Sequence, residues 1–203
     1  MKKGIMVLAG FLAIIFSGCA PERHTVLPLN ESQVNEAIEF GRKNSSLTDT
    51  EFISGWTLDS GGYLKGEGRA TIITPFLRIA LLSKRAAKAG GRVEERLIKS
   101  LLAKEAGFIT FDVTLYGDSH GFGRTAEFIL EHGGMEHEPV AMFMPSYAEI
   151  ARDYTCIASG WAKFRKEDIP GDATVNLSVK FRENEEREDI TGINFEFDLS
   201  KFK

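Results

Sequence analysis

Ala173-Thr174-Val175-Asn176-Leu177-Ser178-Val179-Lys180-Phe181 alternates apolar and polar residues without a break, and its reading decides the fold class. Successive side chains of a strand point to opposite faces, so the stretch predicts one dry face and one wet face. Ile193, Phe195, Phe197 and Leu199 alternate with Asn194, Glu196 and Asp198 in the same way. Further upstream Ile109, Phe111, Val113 and Leu115 oppose Thr110, Asp112 and Thr114. Ala126, Phe128 and Leu130 form a shorter run, as do Val140, Met142 and Met144, and Tyr154 to Phe164 reads as a longer strand. Runs of period two joined by short polar turns predict an antiparallel β-sandwich, immunoglobulin-like in outline. Arg182 to Asp189, charged at all but one position, reads as the solvated tip of a hairpin.

Toward the N-terminus the period changes. Asn30 and Gln33 form a capping pair, and Val34, Ala37, Ile38 and Gly41 recur at helical spacing, which predicts an amphipathic helix to about Lys43. The polar stretch Asn44 to Thr50 ends it, and residues 52–73 read as two strands turning at Gly61-Gly62. In the second of them Leu64, Gly66, Gly68, Ala70 and Ile72 face inward, small enough for a close neighbour, and the charged residues among Tyr63, Lys65, Glu67, Arg69 and Thr71 on the other face are expected to be solvated. Thr74-Pro75 is a helix start, a capping hydroxyl before a proline. One helix is expected from Pro75 to about Ala89, stopping at Gly90-Gly91, and a second from Val93 to Ala106, closed by Gly107. The expected whole is an α+β domain over residues 31–203. Its helix-rich part, 31–107, holds an N-terminal helix and an inserted helical hairpin, and its β-rich part is 108–203. There is no internal repeat.

Three groups of residues invite chemistry. Gly117-Asp118-Ser119-His120-Gly121 fits the G-x-S-x-G turn that exposes a hydrolase serine, with a strand before it as required. The segment after it alternates rather than running helical, and no histidine follows His137 to complete a triad. Ser119 is therefore a nucleophile candidate without its partners. His132, Met135 and His137 offer imidazole and thioether ligands suited to copper or zinc, but lack a fourth rigid ligand; His120 stands a strand's length away. A polar inter-strand loop accounts for the same residues. The basic run with Lys84, Arg85, Lys88 and Arg92 is a candidate partner-binding face, toward anionic headgroups, a protein or a glycan. It is equally the wet side of a helix packed on a sheet. Cys156 lies in a strand and reads as a small buried hydrophobe. Nothing in the chain calls for a cofactor.

The first twenty residues read differently from the rest. Lys2 and Lys3 precede a stretch without charge from Gly4 to Phe16, the layout of a secretory signal. Thirteen helical residues rise only ~20 Å against a hydrocarbon core of roughly 30 Å, too short for a permanent span. Phe16-Ser17-Gly18-Cys19 then resembles the lipobox of bacterial prolipoproteins, with Phe16 where Leu is most common. The resemblance implies a signal peptide over 1–18, cleavage before Cys19, and acyl chains on that cysteine. Ala20, where an Asp favours the inner membrane, implies transfer to the outer membrane of a Gram-negative cell. Residues 19–30 then form the lipidated cysteine and its tether. Two or three acyl chains, at about 0.8 kcal/mol per buried methylene, anchor a protein stably.

The implied mature chain carries 23 basic and 29 acidic residues, a net charge of −6. That balance disfavours nucleic acid, which needs clustered cations to neutralise phosphate. The function expected is a noncatalytic envelope module, facing the periplasm, that binds a protein or cell-wall partner. Replacing Cys19 with Ser is predicted to leave unprocessed or soluble protein, read by membrane fractionation; normal fractionation of the variant refutes the lipid.

Overall fold

A computed structural model describes residues 29–61, 64–151, 155–167, 169–184, 186 and 188–202. The signal segment, Cys19 and most of the tether lie outside the described residues. So do Gly62, Tyr63 and Tyr154, which the strand readings included. Among the described residues the fold is α+β, with helices α1 (Glu31–Lys43), α2 (Asp49–Ile53), α3 (Pro75–Lys88) and α4 (Glu95–Glu105). The strands are β1 (Thr57–Asp59), β2 (Gly68–Ile73), β3 (Phe108–Gly117), β4 (Glu127–His132), β5 (Met135–His137), β6 (Ala141–Phe143), β7 (Glu149–Ile150), β8 (Cys156–Arg165), β9 (Thr174–Phe181) and β10 (Thr191–Asp198).

The strands form two antiparallel sheets. The large one runs β1-β2-β3-β8-β6, with β7 also paired to β8, and the small one runs β10-β9-β4-β5. Their inner faces meet in the main core. Ile109, Phe111, Val113 and Leu115 of β3 join Val175, Leu177, Val179 and Phe181 of β9 and Ile193, Phe195 and Phe197 of β10. Phe111 lies against Phe197 with ring centroids 5.0 Å apart. The alternation read along these three strands is therefore what closes the sandwich. Gly68 permits close approach: a β-carbon there would stand 2.8 Å from the Thr114 carbonyl oxygen and 3.4 Å from Ile193 Cδ1 of the other sheet.

A second core lies on the helical side. Phe76, Leu77, Ile79 and Ala80 of α3 bury against Ala37 of α1, Phe52 of α2, Ile98 of α4 and Ile73 of β2. Helix α1 begins with the expected capping box, Asn30 accepting from the Gln33 amide while Gln33 accepts from the Asn30 amide. It crosses α3 at Gly41, where a β-carbon would lie 2.1 Å from the Ala80 carbonyl oxygen. Ser83 Oγ donates to the Ile38 carbonyl at 2.7 Å beside that crossing. The inserted hairpin is thus held chiefly through α1. Of α4, only Ile98 is buried.

Four expectations are corrected. The stretch after α1 is not linker and strand: Thr48 caps α2 through a second capping box with Glu51, leaving β1 only three residues. Thr48-x-x-Glu51 carried that signal in the sequence. The second strand begins at Gly68 rather than Tyr63. Its outer face is not solvated, since Thr71 is buried and Arg69 mostly so. The loop expected over His132 to His137 is instead the β4–β5 hairpin, with Gly133 and Gly134 both at positive φ. Two consecutive left-handed residues are what a tight two-residue turn requires, and glycine adopts them without strain.

Gly41→Val is predicted to destabilise the fold by roughly 1–3 kcal/mol or more, because the added methyls must separate α1 from α3. Urea midpoints check this, with exposed Glu39→Ala as the near-neutral control.

Candidate functional site

An antiparallel sheet has two faces, and the small sheet covers only one face of the large sheet. The strand register sorts the other face into rows. Ile73, Thr110, Lys163 and Ala141 stand side by side in one row. Thr57, Thr71, Asp112, Trp161 and Phe143 form the next. Asp59, Arg69, Thr114 and Ser159 form the third.

Helices cover the first row. Glu105, at the end of α4, reaches it as a largely buried carboxylate. It lies 3.3 Å from Arg78 Nε of α3 and 3.6 Å from Lys163 Nζ of β8. Thr110 Oγ1 donates to it at 3.4 Å. Lys163 also donates to the Lys104 carbonyl and lies over the Phe108 ring. The cluster ties α3 and α4 to two neighbouring strands.

The second and third rows are covered only in part, over Thr71 and Arg69, and with α2 and α3 beside them they floor a groove of about 520 Å³. Ile53 of α2 and Leu81 and Arg85 of α3 form its helical wall, and Phe143 and Trp161 its edge. Phe143 is 53% exposed and Trp161 36%, although large aromatics usually bury more. The polar groups of the floor mostly satisfy one another across strands. Thr57 and Thr71 share a hydroxyl hydrogen bond at 2.8 Å, Thr114 and Ser159 one at 3.0 Å, and Arg69 pairs with Asp59 at 3.4 Å.

Asp112 is different. Its carboxylate makes no hydrogen bond among the described residues and stands between Thr71 and Trp161. The residue is exposed to water along the groove, while nearby protein atoms take away part of its carboxylate's hydration. That loss raises its pKa above the ordinary carboxylate value; Arg78 acts against the rise and Glu105 adds to it. A ligand that donates hydrogen bonds to Asp112 and stacks on Trp161 would satisfy both groups at once.

The residues singled out in the sequence fall elsewhere, with one exception. Ser119 lies in the turn after β3, its amide donating to the Glu183 carbonyl at 3.2 Å. The turn continues into a single 3-10 turn, Phe122–Thr125, and then β4, so the helix of a nucleophile elbow does not follow it. The His120 ring packs at the Tyr147 ring. His132, Met135 and His137 share one face of the β4–β5 hairpin by register. His132 Nδ1 lies 3.3 Å from the Thr174 carbonyl oxygen, and no group of three or more His, Cys, Asp or Glu among the described residues is placed to hold a metal ion.

In the basic run, Lys84 is buried, its ammonium 2.5 Å from Asp49 and over the Phe52 ring. That ammonium holds the Asp49 carboxyl below its usual range. Arg85, Lys88 and Arg92 are exposed, and Arg85 alone of the four lines the groove. Cys156 is buried in the main core as a free thiol, pushed up in pKa by burial and then by the Asp118 carboxylate.

Sequence reasoning missed Asp112, Trp161 and Phe143 as a site. Two of the three lie in strands that were read from alternation, but nothing in that alternation tells which wet face will be walled into a groove. No family model, curated protein or solved structure matches this chain.

Because the folded pKa of Asp112 is raised, its ionised form opposes folding. The penalty is absent below about pH 4, near the unfolded value, and complete above the folded pKa. Asp112→Asn is therefore predicted to be more stable than the native chain at pH 7. The difference should vanish below about pH 4 in urea titrations at the two pH values.

Proposed function

We propose that the mature chain is a lipid-anchored, noncatalytic module of the bacterial envelope that binds its partner in the groove on the large sheet. Asp112 carries this reading: an ionisable group kept at a cost to folding, without a hydrogen bond among the described residues, beside an exposed tryptophan, on the part of the large sheet's outer face that α2 and α3 wall in as a groove. Proteins break local rules of stability mainly where function requires it. The lipobox resemblance supports the anchoring, with the periplasmic side of the outer membrane as the place and a protein or cell-wall partner as the ligand. Among the described residues no helix is long and apolar enough to cross a membrane.

A photo-crosslinking residue at position 161 in intact cells is expected to give adducts that Asp112→Asn weakens. The same residue at Glu196, on the outer face of the small sheet, should give none. Equal adducts from both positions, or a Ser119-dependent adduct with a fluorophosphonate, would defeat the proposal.

A further inference from the structure

Charge is divided unevenly along this chain. Residues 75–105, the α3–α4 hairpin, carry eight Lys or Arg and three Glu, a net +5. The rest of the implied mature chain, 19–203, carries −11. Two of the hairpin cations are consumed internally, Lys84 by Asp49 and Arg78 by Glu105. The others, Arg85, Lys88, Arg92, Arg96, Lys99 and Lys104, are exposed. Against them stand Glu94 and Glu95, and Glu95 is paired to Lys99.

Helix α4 is also under-covered. Ile98 faces the helical core, but Leu97 is 49% exposed. Leu82 and Ala86 of α3 with Val93 and Leu97 floor an open groove of about 540 Å³, rimmed by Arg92 and Arg96. A half-exposed leucine over an apolar groove, with cations along the border, is a composition found where helices lie at a membrane interface. On the other side of α4, a groove of about 670 Å³ is lined by Leu29, Val34, Val93 and Lys99. Leu29 is the first described residue, so the tether joins the domain beside α4. Ten residues, 19–28, reach at most ~36 Å when extended.

We infer that the α3–α4 hairpin is the face that lies on the membrane, Arg92 and Arg96 against anionic phospholipid headgroups and Leu97 in the boundary beneath them. The inference rests on the lipid-anchor reading for its orientation. Charge complementarity selects the occupant: an anionic bilayer surface attracts each basic residue that approaches it, roughly fivefold in partitioning per residue, and repels the acidic remainder of the domain. The tether and the hairpin then act together, since the acyl chains hold the domain within reach and the cations set which way it faces.

The test places a polarity-sensitive fluorophore at Ser100→Cys, an exposed position in the Leu97 groove, in the lipidated chain; native Cys156 is buried. The protein is reconstituted in phosphatidylcholine vesicles and in vesicles with a third of the lipid as phosphatidylglycerol. Emission should shift blue only on the anionic vesicles, and the shift should disappear in about 1 M salt, where screening acts within ~3 Å. Arg92→Glu with Arg96→Glu, both exposed, should abolish it with the far-ultraviolet circular dichroism unchanged. A probe that stays water-exposed on both vesicles overturns the inference, as does an equal shift on both. Photo-crosslinks from position 100 to a protein instead of lipid would assign the hairpin to a partner and overturn it too. The mass of the N-terminal peptide separates the two readings. An unmodified Cys19 refutes the anchor alone. Pelleting of chain 20–203 with the anionic vesicles then decides the hairpin, with at least a roughly tenfold loss of partitioning expected for the double charge reversal.

Discussion

Strand β3 has to satisfy two faces at once, and the rest of the molecule is arranged around that requirement. Its inner residues, Ile109 to Leu115, are covered by the small sheet, which removes them from water at about 25 cal/mol per Å². Its outer residues meet helices only at one end. There Thr110 is buried beneath the carboxylate of Glu105, which Arg78 and Lys163 neutralise. An ion pair whose carboxylate is largely buried adds little net stability over an apolar replacement, but removing its cations is costly, because that strands the acid. Its effect is to fix where the helices sit on the sheet.

Fixing the helices at one end leaves the other end open. From Asp112 onward the outer face is walled rather than covered by the described helices, and the groove follows from the mismatch between a ten-residue strand and a helical layer that packs fully only on its first residues. Most polar residues of the floor are paired across strands, whereas Asp112 beside Trp161 makes no hydrogen bond among the described residues. A surface whose floor is mostly self-satisfied, with a carboxylate left over beside an aromatic, has a defined place for a ligand to add contacts rather than replace them. The opposite face of the sandwich is different: on β10 the outer residues Asn194, Glu196 and Asp198 are ordinary wet positions.

The helices that wall the groove also form the basic surface, and the two roles use different residues of the same elements. Arg85 faces the groove, whereas Arg92 and Arg96 rim the separate hollow between α3 and α4. Lys84 belongs to neither. It is spent inside, where the Asp49 carboxylate and the Phe52 ring replace its lost hydration. A run of like charges in a sequence thus divides into an internal clamp, a groove wall and a free surface once the helix is packed.

How much of this was legible beforehand follows from the range of the forces involved. Alternation of period two, helical spacing, Thr74-Pro75 and the Asn30–Gln33 box are local signals, and they placed the main strands, α1, α3 and α4 within a few residues. Thr48-x-x-Glu51 was equally local and went unread because a short helix lacks the repeats that make periodicity persuasive. The β4–β5 hairpin was hidden for a different reason, since three-residue strands are stabilised by their neighbours rather than by their own pattern. By itself, then, the sequence determined which residues are apolar on one side and where helices begin and end, because those depend on neighbours a few positions away. Only the tertiary structure decided that Lys84 is buried, that Gly41 marks a helix crossing, and that Asp112, Trp161 and Phe143 share one open row. Each of these depends on register and packing between residues 18 to 49 positions apart, which no local pattern records.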